Sequence, residues 1–190
     1  MGEEMNYEAF VKEMALSRIN RTFLNNNKKH ALYVLVELFN HAEKELRIFA
    51  GCLCNDVGNN SKYIMALSDF ILRGGTLRIL LNAYNEEETK QSDLYKRLAY
   101  FQSINKPITI KMTTAKPYKE SDPDKKEVHF TIADKIAYRI ENDIENFCAE
   151  WNFNDEKRAQ SIADLFDQLF DEENTKEINI LKLFGYDEHK

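Results

Sequence analysis

The chain has 190 residues, of which 43% are hydrophobic and 31% are charged, and this balance excludes a wholly disordered protein. A chain of this length most often forms one domain with a sizeable core. Its formal net charge of −6 argues against a protein that coats nucleic acid unspecifically, because such binding rests on cationic contacts to phosphate.

The N-terminal stretch MGEEMNYEAF is acidic and lacks the basic region and apolar core of a signal peptide. No apolar run in the sequence approaches the roughly 18–20 residues of a membrane-spanning helix. We therefore expect a cytoplasmic protein without a membrane span. Residues 7–24 have the spacing of an amphipathic helix, which we expect to end at the asparagines 25–27, and residues 28–43 predict a second helix.

The following segment alternates predicted strands and helices. Strands are predicted at 45–53, 76–82 and 108–112, and helices at 60–73 and 91–103. Gly74 and Gly75 follow the first of these helices, where glycine commonly ends a helix. The order of strand, helix, glycine turn and strand predicts a βαβ unit with parallel strands and a right-handed crossover.

The cysteines are few, at positions 52, 54 and 148. In a protein without an export signal they are expected to be free thiols. The spacing of Cys52 and Cys54 does not match a zinc ribbon, and no pair of histidines accompanies them. We therefore expect no metal and no other cofactor.

After a loop at 114–127, the segments VHFTIA and IAYRIE predict a β-hairpin that turns around Asp134. A three-residue loop would place His129 opposite Glu141 and Thr131 opposite Arg139, with the apolar side chains on the other face. A two-residue loop would mix charged and apolar side chains on one face, so we favour the three-residue loop. The polar residues of the hairpin are then expected to share one face.

A third strand and a long helix complete the pattern. NFCAEWNFN alternates, with Phe147, Ala149, Trp151 and Phe153 on one face and polar residues on the other. Asn154 or the following aspartate is then expected to cap a helix whose apolar residues recur at i, i+3 and i+4. The tail from 177 predicts a short helix that ends at residue 185.

This order of elements resembles the phospholipase D-like superfamily over residues 28–171. Three stretches carry the resemblance: the βαβ segment closing on LRGGTLRILLN, the hairpin at 127–141 with its histidine and aspartate, and WNFND with the helix after it. The resemblance implies an α/β/α sandwich with a mixed sheet. The expected organisation is an N-terminal helix (1–27), a phospholipase D-like domain (28–175) and a C-terminal tail (176–190).

The family resemblance also implies a reaction. One histidine attacks phosphorus and forms a phosphohistidine, and a second histidine acts as general acid and then as base, without a metal. The signature is H-x-K-x4-D, and two copies build one site. A short chain with one copy is therefore expected to form a homodimer across a twofold axis.

This sequence departs from the signature in either register. Counted back from Asp134, the lysine position is His129 and the histidine position is Glu127. Counted forward from His129 as the histidine, the lysine position is Thr131 and the aspartate position is Ile136. We prefer the first register, because Asp134 lies at the hairpin turn, and in that register a carboxylate replaces the nucleophile.

Other residues of the hairpin and the next strand join the predicted site. Arg139 is expected either to clamp phosphate or to pair with Glu141 or Glu127. Asn152 and Asn154 match the family's asparagine region, although Asn154 is also a candidate helix cap. The predicted site contains His129, Glu127 and Asp134 as catalytic positions, Arg139, Asn152 and Asn154 as phosphate ligands, and Thr131 and Glu141 as supporting residues.

Three functions stay open at this point. The favoured one is a degenerate phospholipase D-like subunit that binds phosphate or nucleic acid or assembles with partner proteins, similar to components of bacterial nucleic-acid processing or defence systems. The second is an active, metal-independent phosphodiesterase or nuclease that works as a homodimer through His129. The third is a purely structural interaction protein. Residues 105–119 contain four lysines and no acidic residue, which keeps contact with a polyanion open.

Overall fold

A computed structural model describes residues 2–186. The helices are α1 (Gly2–Ser17), α2 (Lys28–His41), α3 (Ser61–Leu72), α4 (Glu86–Gln91), α5 (Asp93–Ser103), α6 (Glu156–Phe170) and α7 (Ile180–Leu183). The strands are β1 (Phe23–Asn26), β2 (Glu45–Ala50), β3 (Thr76–Leu81), β4 (Ile108–Met112), β5 (His129–Ala133), β6 (Ala137–Asp143), β7 (Cys148–Asn152) and β8 (Lys176–Glu177).

The described strands form one mixed sheet in the order β1-β7-β6-β5-β2-β3-β4-β8. β2, β3 and β4 are parallel, with Leu46 opposite Leu77. The predicted βαβ unit is confirmed. Gly74 has a φ of 96°, which disfavours a side chain, and a Cβ on Gly75 would collide with the ring of Phe70. The two glycines therefore permit the tight turn from α3 into β3.

Helices cover both faces of the sheet, and the α/β/α sandwich with a mixed sheet is confirmed. On one face, side chains of α2, α3 and α5 pack on the alternate residues of β2 and β3. On the other face, α6 buries Ala159, Ala163 and Phe166 against the hairpin. The spacing of these three residues is the one that the sequence pattern of α6 predicts, and Asp155 caps the helix.

The hairpin of β5 and β6 has the predicted register, with His129 opposite Glu141 and Thr131 opposite Arg139. Its three-residue loop places Asp134 and Lys135 at φ values of 52° and 57°. Aspartate tolerates this conformation better than most residues. The Asp134 carboxylate also accepts hydrogen bonds from three backbone amides, those of residues 43, 44 and 45, at 2.6–2.9 Å. The turn is thereby tied to the start of β2.

The predicted helix at 7–24 is wrong at its C-terminal end. α1 ends at Ser17, and the residues from Phe23 form β1, which pairs with β7 at the edge of the sheet. Phe23 stacks on Trp151 with ring centroids 4.9 Å apart. Tertiary pairing and ring stacking therefore override the local helical pattern.

The remaining differences are small. The segment predicted as a helix at 91–103 begins at Asp93, and the short α4 precedes it. The tail adds the short strand β8 and then α7, which ends two residues before Gly185. Residues 187–190 of the predicted tail lie outside the described part of the chain. Within residues 2–186, no helix combines the length and the apolar character needed to cross a membrane.

Candidate functional site

A cavity of about 220 Å³ lies under the hairpin, on the face of the sheet that α2 and α3 cover. Side chains alternate along a strand, so His129 and Thr131 of β5 and Arg139 and Glu141 of β6 all point toward this face. The polar face predicted for the hairpin therefore exists and borders a cavity. The wall is completed by residues from other elements, among them Leu35, Gly51, Cys52, Asn55, Tyr63 and Phe147.

His129 lies between two carboxylates. Its Nε2 is 3.2 Å from Oε1 of Glu127, and its Nδ1 is 3.8 Å from Oε2 of Glu141. Glu127 Oε1 also accepts a hydrogen bond of 2.7 Å from Asn82. Burial lowers the pKa of His129 below its ordinary value, with a contribution from Arg139, although the two carboxylates act in the opposite direction. The imidazole is therefore held neutral at physiological pH.

Arg139 is buried, and its guanidinium is already engaged. It donates to Glu141 at 2.8 Å, to the side-chain oxygen of Asn25 at 3.2 Å and to the carbonyl of Phe147 at 3.1 Å. The side chains of Arg139 and Glu141 are 5% and 10% exposed. The sequence left two roles open for Arg139, a phosphate clamp and an ion pair with a glutamate. In the structure Arg139 forms the ion pair, with Glu141.

Three polar residues near the cavity were missed by the sequence analysis. Asn25 belongs to β1, whereas the sequence predicted a break after a helix at this position, so its place beside Arg139 had no local signal. Asn82 directly follows β3. Its position could have been found from the sequence, because polar residues at the carboxyl ends of parallel strands are common in ligand sites. Tyr63 of α3 is fully buried on the cavity wall, and this burial raises the pKa of its hydroxyl.

The structure does not bring three of the predicted residues to His129. Asp134 lies at the opposite end of β5, where its carboxylate binds backbone amides and borders a different cavity of about 130 Å³. Asn152 pairs with Tyr138, so its side chain is on the opposite face of the sheet and donates to Asn20 at 2.9 Å. Asn154 donates to the backbone carbonyl of residue 18 at 2.7 Å.

The chemistry of the cavity follows from these contacts. Both ring nitrogens of His129 face carboxylates, and the Nε and Nη2 donors of Arg139 are taken by groups of the protein itself. With His129 neutral, the charged groups beside the cavity are two carboxylates, those of Glu127 and Glu141, and one guanidinium, that of Arg139. A phosphodiester entering this space would meet a net negative charge in a poorly hydrated environment, which repels it.

Two cysteines and a glutamate lie close together beside the same cavity. Cys52 is on its wall, and the side chains of Cys54 and Glu88 are close to it. Within the described residues, this is the group of side chains whose chemistry suits a metal ion.

A model of a protein family described as a domain of unknown function, DUF7931, matches residues 27–179. The chain belongs to the DUF7931 family. The match covers α2 through β8 and so includes every residue of the hairpin and of the cavity wall, whereas Asn25, which accepts from Arg139, lies outside it. No curated protein shows significant similarity to the chain.

Solved structures with low sequence identity share the fold of this DUF7931 chain. The archaeal chromatin protein TrmBL2, described as showing a novel mode of DNA binding, matches with a TM-score of 0.61 at 12% identity, over 93% of this chain and 63% of that chain. NucT from Helicobacter pylori matches with a TM-score of 0.56 at 13% identity, over 84% and 100% of the two chains. Nuc from Salmonella typhimurium, a phospholipase D family member, matches with a TM-score of 0.52 at 12% identity, over 83% and 99%.

These similarities establish a phospholipase D-like fold for the DUF7931 chain. The chain spans less than two thirds of the TrmBL2 chain. At such identities the likeness concerns the fold alone, so the chemistry of the cavity has to be judged from its own residues.

Proposed function

We propose that this protein is a phospholipase D-like domain with a degenerate active site, which does not hydrolyse phosphodiesters and serves as a nucleic-acid-binding or assembly subunit of a larger system. One observation supports the proposal that the protein does not hydrolyse phosphodiesters. The only histidine on the cavity wall among the described residues, His129, has Glu127 at one ring nitrogen and Glu141 at the other. A nucleophile needs a free nitrogen directed at phosphorus, and neighbouring carboxylates repel the substrate.

The hairpin supports the preferred register of the signature. Asp134 anchors the turn, and the positions that precede it place Glu127 where the family has histidine and His129 where it has lysine. Glu127 and His129 contact each other at 3.2 Å, so the two replaced residues bind one another instead of phosphate. The resemblance also implies a homodimer, which belongs to this proposal.

Hydrolysis is tested with a chromogenic phosphodiester and with labelled single- and double-stranded DNA and RNA, in EDTA. We expect no cleavage by the wild type. The double variant Glu127→His, His129→Lys restores H-x-K-x4-D and is the matched comparison. EDTA-resistant cleavage by the wild type that disappears in His129→Ala would overturn the proposal and show an active phosphodiesterase.

Nucleic-acid contact is assigned to the loop that leads into Glu127. Lys116, Lys125 and Lys126 of this loop are exposed, and similar folds include a chromatin protein that binds DNA. Because the cavity repels anions, contact through exposed lysines is the arrangement compatible with the net charge of −6. It predicts weak, salt-dependent binding.

Binding is measured by fluorescence anisotropy with labelled DNA and RNA at several salt concentrations. In Lys125→Ala, Lys126→Ala we expect weaker binding and a slope of log K against log salt reduced by about 1–2, since each lost phosphate contact removes roughly 0.9. Lys96→Ala removes an exposed lysine of α5 that pairs with Asp93 and serves as the control. Equal salt slopes in the wild type, the double lysine variant and Lys96→Ala would contradict the lysine contact. If the wild type does not bind DNA or RNA at low salt, the nucleic-acid-binding role is excluded and assembly with partner proteins is the role that stays.

A further inference from the structure

A cluster of three potential metal ligands lies next to the cavity. The sulfur atoms of Cys52 and Cys54 and a carboxylate oxygen of Glu88 all lie within 4.8 Å of one another. Cys52 and Cys54 belong to the loop after β2, and Glu88 belongs to α4. Leu53 between the cysteines has a φ of 60°, and this left-handed residue turns both sulfurs to the same side of the loop.

The separations fit tetrahedral coordination. With zinc–sulfur distances of about 2.3 Å and zinc–oxygen distances of about 2.0–2.2 Å, two tetrahedral ligands are separated by roughly 3.5–3.8 Å. The sulfur of Cys52 is 3.4 Å from Oε2 of Glu88, and the whole group lies within 4.8 Å. A cation can therefore be accommodated with small side-chain movements.

The backbone around the ligands is held in place by other elements. The hydroxyl of Tyr95 donates to the carbonyl of Cys52 at 2.6 Å, and the side-chain amide of Asn59 donates to the carbonyl of Cys54 at 3.0 Å. Asn85 caps the helix that carries Glu88. Supporting contacts of this kind orient the ligands of metal sites.

We propose that Cys52, Cys54 and Glu88 form a binding site for a thiophilic divalent cation of the zinc type. Two thiolates and one carboxylate select such a cation over calcium or magnesium, which prefer all-oxygen sites. Three protein ligands leave a fourth tetrahedral position for water or an exogenous group, as in zinc sites that are not purely structural. The site goes beyond the proposed function and does not depend on it.

Cation binding at this site must displace protons. Coordination requires the thiolate, and each thiol that binds releases its proton to solvent. When both thiols bind, two protons leave as the divalent cation enters, so the net charge of the site beside the cavity stays the same.

The test uses the full chain, stripped of metal and kept reduced with a phosphine. Cobalt is titrated first, because thiolate coordination gives a sulfur-to-cobalt charge-transfer band, and zinc affinity is then measured by competition with a chromogenic chelator. We expect one cation per chain and release of protons into a weakly buffered solution. Cys52→Ser and Cys54→Ser should each lower the zinc affinity by at least ~100-fold, and Glu88→Gln by about 10-fold.

The control is Cys148→Ser, which removes the third cysteine, outside the cluster, and should leave cobalt absorption and zinc affinity unchanged. Circular dichroism of the metal-free variants checks that each one folds. Absence of the charge-transfer band in wild type, or equal zinc affinity in wild type and in Cys52→Ser, Cys54→Ser, would overturn the site. Since nucleic acid is not present in this assay, its outcome is separate from the outcome of the DNA-binding and hydrolysis assays.

Discussion

The two faces of the sheet each hold a network of charged side chains around a buried arginine, and the two networks differ in their surroundings. On the face covered by α6, Arg47 binds both carboxylate oxygens of Asp167 at 3.0 and 3.1 Å, and Arg78 approaches the same carboxylate at 2.9 Å. Phe166 and Phe170 lie over Arg78, with its guanidinium carbon 5.7 and 5.5 Å from the ring centroids.

On the opposite face, Arg139 and Glu141 form a pair that is more deeply buried, and this pair borders the cavity that also holds His129. The α6 network also includes Glu45 and Lys135, so it has three cations against two carboxylates, and it is packed against aromatic rings, whereas the cavity network has an excess of carboxylates. A buried arginine is therefore weak evidence for an anion site in this protein. Free donors beside open space would be better evidence, and the Nε and Nη2 donors of Arg139 are engaged by groups of the protein itself.

The largest expected effect is that of Arg139→Ala. Removing the guanidinium leaves Glu141 buried without its partner, so we expect the free energy of unfolding to fall by about 3–5 kcal/mol. The measurement is urea unfolding followed by circular dichroism. The paired replacement Arg139→Met, Glu141→Leu removes both charges and should recover much of this loss. A cost below ~1 kcal/mol for Arg139→Ala would mean that the guanidinium is available to a ligand after all.

Asp167→Asn tests the network on the α6 face and should cost about 2 kcal/mol, because the buried Arg47 loses a negative charge and one of its two carboxylate acceptors and keeps only Glu45 as an anionic partner. The pKa of Asp167 is lowered below its ordinary 3.8, since Arg47, Arg78 and Lys135 outweigh the effect of burial. This stabilisation is therefore present above about pH 3.8 and is lost as pH falls through the lower pKa of the folded state. The measurement is the urea midpoint as a function of pH.

Lys96→Ala is the control for Asp167→Asn. Lys96 pairs with Asp93 at the surface, where both side chains are more than half exposed. Such pairs contribute at most ~0.5 kcal/mol. A similar cost for both variants would show that the α6 network contributes no more than a surface ion pair.

The smallest expected effect concerns the pH dependence due to His129. Burial lowers its pKa in the folded state, so the unfolded chain binds the proton more readily. Stability from this residue is complete above the ordinary histidine pKa of 6.5 and falls as pH decreases below it. We expect His129→Asn to flatten the decline in unfolding free energy between about pH 7.5 and pH 5.5. Thr131→Val, on the same face of β5, should keep the wild-type slope, and an unchanged slope in His129→Asn would contradict the buried, neutral histidine.

The hairpin shows what the sequence can predict. Only the three-residue loop separates apolar from charged side chains in VHFTIA and IAYRIE, so the pairing of His129 with Glu141 follows from the hydrophobic pattern. The same holds for α6, whose apolar spacing matches its buried face. These elements are predictable because the residues that decide them are near each other in the chain.

Asn25 and Asn152 show what the sequence cannot predict. Asn25 reaches Arg139 because β1 pairs with β7, a contact between distant segments that no local pattern encodes. For Asn152 the alternation was correct, and it already set this side chain on the face opposite Trp151. The prediction of a phosphate ligand came from the family resemblance, which does not specify the face of a side chain in this chain.

The pairing of β1 with β7 has a consequence for how the protein folds. Phe23 and Trp151 lie near the two ends of the fold, and a contact across so long a loop forms late because the entropy of loop closure opposes it. During synthesis, β1 leaves the ribosome well before β7 exists. Its main chain and the exposed side chain of Leu24 then stay unpaired until most of the sheet has emerged, and this strand is where two nascent copies can pair with each other.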